Sequence, residues 1–176
     1  MSSGPATRPS GGADAGRAAL YAAELAAFDG TDLEVPHGQT SAARLASVVT
    51  EGEWWPGPEV VVRAARAGAG SSSCHSVGQN RSGSSLEIRL ATVQTTTATV
   101  AHELAHALAG PRRGHDPLFR RAYLDLITVV TNSDPTDRRH SLHVRQLADA
   151  LSLAGLVVAD REWPAPPAIL DGPIAL

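Results

Sequence analysis

Two histidines and a glutamate near the middle of the chain follow an H-E-x-x-H pattern, formed by His102, Glu103 and His106. Four residues advance an α-helix by about 400° and roughly 6 Å, so both imidazoles project from the same face, one turn apart. Two imidazoles in this arrangement can hold a zinc ion at about 2.0–2.1 Å from each nitrogen. Glu103, beside the first ligand, can then accept a proton from zinc-bound water. The pattern therefore predicts a hydrolytic zinc site.

The remainder of the predicted active helix is mostly apolar. Leu104, Ala105 and residues 107–109 are helix formers without charged side chains. Imidazoles on a buried helix need a hydrogen-bonding or metal partner, because a buried polar group without one is costly. The sequence therefore favours a metal site over an ordinary amphipathic helix with two surface or core histidines.

A catalytic zinc site needs a third protein ligand and one open position for water. We predict His115 as that ligand, because Gly110-Pro111 ends the helix just after the motif and the following turn brings the chain back. His140 and His143, in the last predicted helix, are alternatives. Asp125 is another, since it stands at a distance from the motif at which some zinc proteases place an acidic ligand.

Other zinc-site patterns do not fit this sequence. The metzincin pattern requires Gly and His at the third and sixth positions after the second histidine, where this chain has Ala109 and Arg112. Cys74 is the only cysteine, which excludes a Cys-rich zinc ribbon and an intramolecular disulfide. His37 and His75 fall in predicted loops, where we expect them to be solvent-exposed.

The overall composition indicates one globular domain. The chain has 176 residues, of which 43% are hydrophobic, enough for a real core. A net charge of −3 gives no electrostatic case for nucleic-acid binding by the whole chain. With no predicted signal peptide, transmembrane run or disulfide, we expect a cytoplasmic protein without a membrane partner. The sequence leaves the oligomeric state open.

Several elements are predicted before the motif. We expect a disordered tail over residues 1–14 and a single domain over 15–155. A first helix should begin at Ala15 and stop near Asp29-Gly30, and a second, capped by Thr40 or Ser41, should run to Val49. The predicted buried face of the first helix consists of Ala18, Ala19, Tyr21, Ala22, Leu25 and Phe28.

Three short strands are predicted between these helices and the motif, over residues 59–66, 74–77 and 85–90. The loop before the first strand carries Trp54 and Trp55, which either plug the edge of the core or line a ligand groove; we favour the core. The stretch Gln79–Gly83 should be a turn.

Helix caps punctuate the rest of the chain. The cluster Thr95–Thr97 should cap the active helix, and Asp116 before Pro117 should cap a helix that runs to Val130. After a break at residues 132–135, Asp137 should cap a last helix that Gly155 closes. The segment 156–176 is predicted to be a proline-rich, extended tail.

The sequence His102-Glu-Leu-Ala-His106, followed by Gly114-His115-Asp116-Pro117-Leu118-Phe119, resembles the H-E-L-x-H … G-H-x-x-x-F layout of SprT-like and related minimal zincin metalloproteases. The resemblance covers most of residues 15–155. It implies an α+β, zincin-like minimal metalloprotease domain, with a small twisted β-sheet packed on the H-E-x-x-H helix and flanking helices.

The resemblance also implies a function. Zn²⁺ would be held by His102, His106 and His115, with Glu103 as general base, in a zinc metallopeptidase that acts on a peptide or protein substrate. Many SprT-like proteins carry a C-terminal zinc ribbon and basic DNA-binding elements. This sequence has neither, so we do not expect a role in DNA–protein crosslink repair.

The roles around the predicted zinc site stay open in the sequence. Tyr123, His140 or His143 could stabilise the oxyanion, although Tyr123 also fits a core stripe. Asp116 and Asp125 are candidates to orient the ligand histidines. The substrate peptide is expected to add to the strand Ser85–Leu90, as the edge of the sheet.

Two other classes of zinc protein compete with the hydrolase. One is a zinc-containing regulatory or partner-binding module of toxin–antitoxin or phage type, without significant peptidase activity. The other is a structural zinc site. Such sites are usually closed by four ligands, with cysteine common among them, and the single cysteine here argues against that class.

Overall fold

The computed structural model describes residues 12–80, 83–131 and 139–167. Within these ranges the protein is a mixed α+β structure with five helices, a short 3-10 helix and three strands, so the predicted α+β class is confirmed. In chain order the elements are α1 (Gly12–Phe28), the 3-10 helix Asp32–Glu34, α2 (Gln39–Glu51), β1 (Glu59–Ala64), β2 (Ser73–Asn80), β3 (Gly83–Leu90), α3 (Thr97–Ala109), α4 (Pro117–Thr131) and α5 (Arg139–Leu153).

The strands form one sheet in the order β1-β3-β2. β1 pairs parallel with β3, and β2 pairs antiparallel with it. The prediction that Ser85–Leu90 is the edge strand is therefore wrong, because β3 is paired on both sides and β2 and β1 form the edges. The alternating pattern of a strand reports which face is buried and carries no information about how many neighbours it has.

One face of the sheet packs on helices. α2 lies against β1, and α3 lies against β2 and β3. The side chains of β3 on this face are buried, as its apolar–polar alternation predicts: Leu86, Ile88 and Leu90. Helix α3, which carries the H-E-x-x-H motif, is thus held between the sheet on one side and α4 on the other.

The opposite face of the sheet carries a cluster of charges. Glu87 receives hydrogen bonds from Nε of Arg63 at 2.9 Å and Nε of Arg89 at 2.6 Å. His75 lies 3.4 Å from the same carboxylate. His75 is therefore half-buried in β2 and paired with Glu87, so the prediction of a solvent-exposed loop histidine is wrong. The register of the sheet explains the cluster, because His75 of β2 is the partner of Glu87 and Arg63 of β1 is the partner of Arg89.

Helix α1 buries a different face from the predicted one. Leu20, Ala23 and Ala27 are buried together with Phe28, whereas Tyr21 and Leu25 are 48% and 65% exposed. Alanine fills so many positions of this helix that every face looks apolar, which hides the true period. The rotation matters because it brings Glu24 towards α3.

The predicted caps beside the active helix are confirmed. Oγ1 of Thr96 accepts a hydrogen bond from the backbone N–H of Thr99 at the start of α3. Oδ1 of Asp116 accepts from the N–H groups of Leu118 and Phe119, both at 2.9 Å, at the start of α4. These caps use local backbone donors, which is why short sequence patterns identify them.

Other boundaries differ from the predictions. α2 begins at Gln39 after Gly38, whose φ of +77° suits glycine, so neither Thr40 nor Ser41 is the cap. β2 extends beyond 74–77 because it pairs with the whole length of β3. Arg81 and Ser82 of the predicted turn, the break at 132–135 and the predicted cap Asp137 lie outside the described residues, as do residues 1–11. Gly12–Asp14, predicted as part of the tail, belong to α1.

The described part of the C-terminal segment, residues 156–167, has no regular secondary structure and lies along α4. The N–H of Ala159 donates to the carbonyl of Pro117 at 3.0 Å. Trp54 and Trp55 are half-buried against the core, as favoured, and the indole of Trp54 donates to the carbonyl of Pro164 at 3.1 Å. Among the described helices none is long and apolar enough to cross a membrane.

Candidate metal centre

Three histidines converge where α3 ends and α4 begins. His102 and His106 project from successive turns of α3, and Gly110, at φ +107°, ends that helix. The turn that follows delivers His115 just before the cap of α4. One nitrogen from each of the three imidazoles lies within 4.8 Å of the other two. The residues predicted as ligands are therefore brought together.

The spacing of these nitrogens suits a metal ion. Nε2 of His102 and Nε2 of His115 are 3.2 Å apart. Two ligands at about 2.0–2.1 Å from a tetrahedral zinc ion are separated by about 3.3–3.4 Å, so a cation fits with little movement. Imidazole nitrogens suit Zn, Cu, Fe and Ni ions. Within the described part of the chain, no other group of three histidine, cysteine or acidic side chains has this spacing.

Glu24 of α1 orients the first histidine of the motif. Its Oε1 lies 2.6 Å from Nδ1 of His102, although the two residues are 78 positions apart in sequence. A hydrogen bond from Nδ1–H to a carboxylate fixes the ring and leaves Nε2 available for a metal. Sequence reasoning missed Glu24, because the face of α1 was assigned wrongly and no local pattern links the two helices.

The two acidic residues predicted to orient the ligand histidines bind other partners. Asp116 caps α4 and pairs with Arg113 at 3.1 Å. Asp125 is buried and accepts two hydrogen bonds from Arg161, at 2.6 and 2.8 Å, and one from the indole of Trp163 at 2.9 Å. Asp125 therefore anchors the C-terminal segment to α4, and the predictions that it orients or replaces a ligand are wrong.

The three imidazoles differ in proton affinity, which is raised for His102 and lowered for His106 and His115. Burial opposes a charge on His102, but the charge of Glu24 and its hydrogen bond raise the pKa overall. Burial and the neighbouring His102 lower the pKa of His106 to about 3 and that of His115 to about 4. A protonated His102 can therefore donate from Nε2 to the neutral His115, and this proton lies where a metal ion would bind.

Glu103 is buried beside the histidines without a full set of partners. It is 6% exposed, and its Oε2 has no hydrogen-bond partner. Burial raises its pKa to about 7, with His102 opposing and Glu24 adding to the shift. Nδ1 of His106 is likewise buried without a partner. Buried polar atoms without a partner are rare in folded proteins, and a catalytic role or a bound water or ion is among the explanations for them.

A cleft of about 350 Å³ opens next to Glu103 and His102. Tyr21 of α1 lies at its rim, with its ring centroid 5.5 Å from that of His115 and 5.9 Å from that of His102. Burial, together with the nearby Glu24, raises the pKa of Tyr21, so its hydroxyl remains a donor at neutral pH. Sequence reasoning assigned Tyr21 to the core and missed this position.

The other candidate residues have partners outside the three histidines, although the ring centroid of Tyr123 lies 5.5 Å from that of His102. Nε2 of His143 is 3.0 Å from Asp32, and the ring of Phe28 packs against that of His143. Tyr123 is fully buried and its hydroxyl donates to the carbonyl of Ala98 at 3.4 Å, as favoured for a core residue. His37 is half-buried and bonds to Thr97 at 2.9 Å, so its predicted exposure is wrong. The side chain of His140 lies outside the described residues.

Comparison of the chain with protein-family models, with curated proteins and with solved structures finds no match. The chemical capacity of the centre therefore follows from its own residues. Three converging imidazoles can hold a metal ion, a buried carboxylate next to them can accept a proton, and a cleft reaches that carboxylate and the imidazole of His102.

Proposed function

We propose that this protein is a zinc-dependent hydrolase with a zincin-like fold, and that it cleaves peptide bonds in a peptide or protein substrate. The observation that carries the proposal is the convergence of His102, His106 and His115 beside the unpartnered carboxylate of Glu103. A structural zinc site is usually closed by four protein ligands, whereas three gather here among the described residues. A free position next to a proton acceptor supports catalysis.

Each residue of the centre has a role in this proposal. A bound zinc ion would lower the pKa of a coordinated water and polarise the scissile carbonyl. Glu103 accepts the proton of the attacking water and passes it to the leaving amine. Glu24 holds the ring of His102 in one orientation. Tyr21, at the rim of the cleft, donates a hydrogen bond to the carbonyl oxygen as negative charge develops there.

Strand β2 is the place where an extended substrate would bind. It is an edge of the sheet, it pairs antiparallel with β3, and it packs against α3. Ser71 and Ser72, directly before β2, line the cleft. A peptide that adds to this edge through main-chain hydrogen bonds would pass the metal centre. β2 thereby takes the role that the sequence assigned to Ser85–Leu90.

The test compares the wild-type protein with Glu103→Gln, after the zinc content of both has been measured. We expect both proteins to bind one zinc ion, and only the wild type to hydrolyse unfolded protein and peptide substrates. Glu59→Gln, an exposed position on β1, is the matched control and should keep full activity. Zinc bound by a wild-type protein that cleaves no substrate would contradict the proposal and favour the partner-binding module.

A further inference from the structure

The cleft beside the metal centre carries more acidic groups than the one cation-forming side chain in its described lining, His102, can compensate. Glu24, Glu34 and Glu103 all line it, and no arginine does within the described residues. The chain contains no lysine. Because Glu24 is bonded to His102 and Glu103 belongs to the metal centre, the carboxylate of the cleft that remains available to a further ligand group is that of Glu34.

Glu34 has no countercharge. It stands in the 3-10 helix Asp32–Glu34, and no described cation pairs with it. Partial burial and the charges of Glu24 and Asp29 all raise its pKa. A partly desolvated carboxylate with only like charges around it gains free energy when a ligand brings a cation to it.

The same cleft offers apolar surface next to this carboxylate. Tyr21 and Leu25, one turn apart on α1, line the cleft and remain 48% and 65% exposed. Long cationic side chains bury their aliphatic stems on such surfaces while the charged end reaches an acidic partner. Glu103 lines the same cleft with a buried oxygen that lacks a partner, which independently indicates a ligand here.

A second metal ion is a poorer fit to these carboxylates. Metal-binding carboxylates approach one another closely around the ion. Among the described residues the only group with ligand spacing is that of His102, His106 and His115. An organic cation, by contrast, uses both the charge of Glu34 and the apolar rim.

We propose that this cleft binds a basic side chain, Lys or Arg, of a peptide ligand, with the cation at Glu34 and the aliphatic stem on Tyr21 and Leu25. The inference deepens the proposed function and rests on it in one respect, namely that the ligand is a peptide. It makes Glu34 a specificity-determining residue of the cleft.

The test measures binding in zinc-loaded Glu103→Gln protein, which should not turn the ligand over. Two short fluorescent peptides are compared that differ only at a central residue, arginine in one and its uncharged isostere citrulline in the other. We expect the arginine peptide to bind about fivefold more tightly. Adding Glu34→Gln should bring the two affinities to within about twofold, and adding Glu59→Gln instead should leave the preference unchanged.

Three outcomes would overturn the inference: no binding of either peptide, equal affinities for both, or a preference that persists in the Glu34→Gln protein. A failure of the proposed function would give a different result from a failure of this inference. If the preference for arginine depends on Glu34 but the zinc-loaded wild type cleaves neither peptide, the binding cleft is supported and the peptidase activity is contradicted. If the zinc-loaded protein binds and cleaves both peptides equally well, the peptidase activity is supported and the specificity for a basic side chain is contradicted.

Discussion

Glu87 and Glu103 have the same solvent exposure, 6% each, but Glu87 lies under the exposed side chains of its arginine partners at the surface and Glu103 lies deep in the protein. On the open face of the sheet, Glu87 is bound by Arg63 and Arg89, with His75 nearby, and its hydrogen bonds to Arg89 and Arg63 lower its pKa. In the metal centre, Glu103 has one oxygen without a partner, and burial raises its pKa to about 7.

This difference separates two uses of a buried carboxylate. A carboxylate that is neutralised by arginines holds strands together, and it has no capacity left for a ligand. A carboxylate that is left partly unsatisfied destabilises the fold locally and can accept a proton from a bound molecule. The comparison predicts that changes at Glu103 alter activity, and that changes at Glu87 alter stability.

The largest expected effects come from replacing Glu103 and, in a separate variant, Glu87 by glutamine. Glu103→Gln should lower kcat by about 10²–10⁴-fold, because the proton acceptor is lost. Glu87→Gln should lower the midpoint of thermal unfolding, because Arg63 and Arg89 lose their charged partner, while kcat stays within about twofold of wild type. Steady-state kinetics and thermal melts on both variants check this. A loss of stability in Glu103→Gln together with a loss of kcat in Glu87→Gln would contradict the comparison.

The next effect concerns Tyr21, which lies on the cleft side of the centre. Tyr21→Phe should lower kcat by about 10²-fold with little change in zinc affinity, since it removes a hydrogen-bond donor to the developing oxyanion and keeps the ring packing. Tyr123→Phe is the matched control, because that hydroxyl donates to a buried backbone carbonyl. Equal losses of kcat in the two variants would contradict the role given to Tyr21.

A smaller effect is expected from Glu24, the carboxylate that is satisfied by a ligand histidine. Glu24→Gln should weaken zinc binding by about 10–100-fold, because the ring of His102 loses its orienting acceptor. Asp125→Asn, which weakens the anchor of the C-terminal segment, should leave the zinc affinity unchanged. Competition with a chromophoric chelator measures both, and a larger loss in Asp125→Asn would show that orientation comes from elsewhere.

The smallest expected effect is the number of protons that the protein releases when it binds zinc. The raised pKa of His102 keeps it protonated to higher pH than an ordinary histidine, whereas the lowered values near 3 and 4 keep His106 and His115 neutral above about pH 4. A metal binds only neutral imidazole, so zinc affinity should rise with pH until His102 has lost its proton. Calorimetry of Glu103→Gln at pH 6 in buffers of different ionisation enthalpy should find about one proton released, because this variant lacks the carboxyl whose pKa is about 7. Release of two or three protons would contradict these shifts.

Local patterns were enough to predict that His102, His106 and His115 come together. The i, i+4 spacing of His102 and His106, the glycine that ends α3 and the Asp116 cap act within a few residues of one another. The position of His115 follows from them. The helix caps Thr96 and Asp116 were predictable for the same reason, since each bonds to its own first turn.

Non-local partners could not be predicted in this way. Glu24 and Tyr21 lie on α1, where Glu24 is 78 positions from His102 in sequence, and the alanine-rich sequence of α1 gives no clear period from which to orient the helix. The central position of β3 depends on pairing with β1, a parallel partner separated by the whole of β2. Asp125 was misread because its partners Arg161 and Trp163 lie in a segment without a periodic pattern.

The central claim is that three imidazoles hold one metal ion and leave a coordination position free. X-ray absorption spectroscopy of the zinc-loaded protein tests it most directly. We predict three imidazole nitrogens and one oxygen at about 2.0–2.1 Å, and the loss of one imidazole from this shell in His115→Ala. A sulfur ligand, four protein nitrogens in the wild type, or an unchanged zinc shell in His115→Ala would contradict the account.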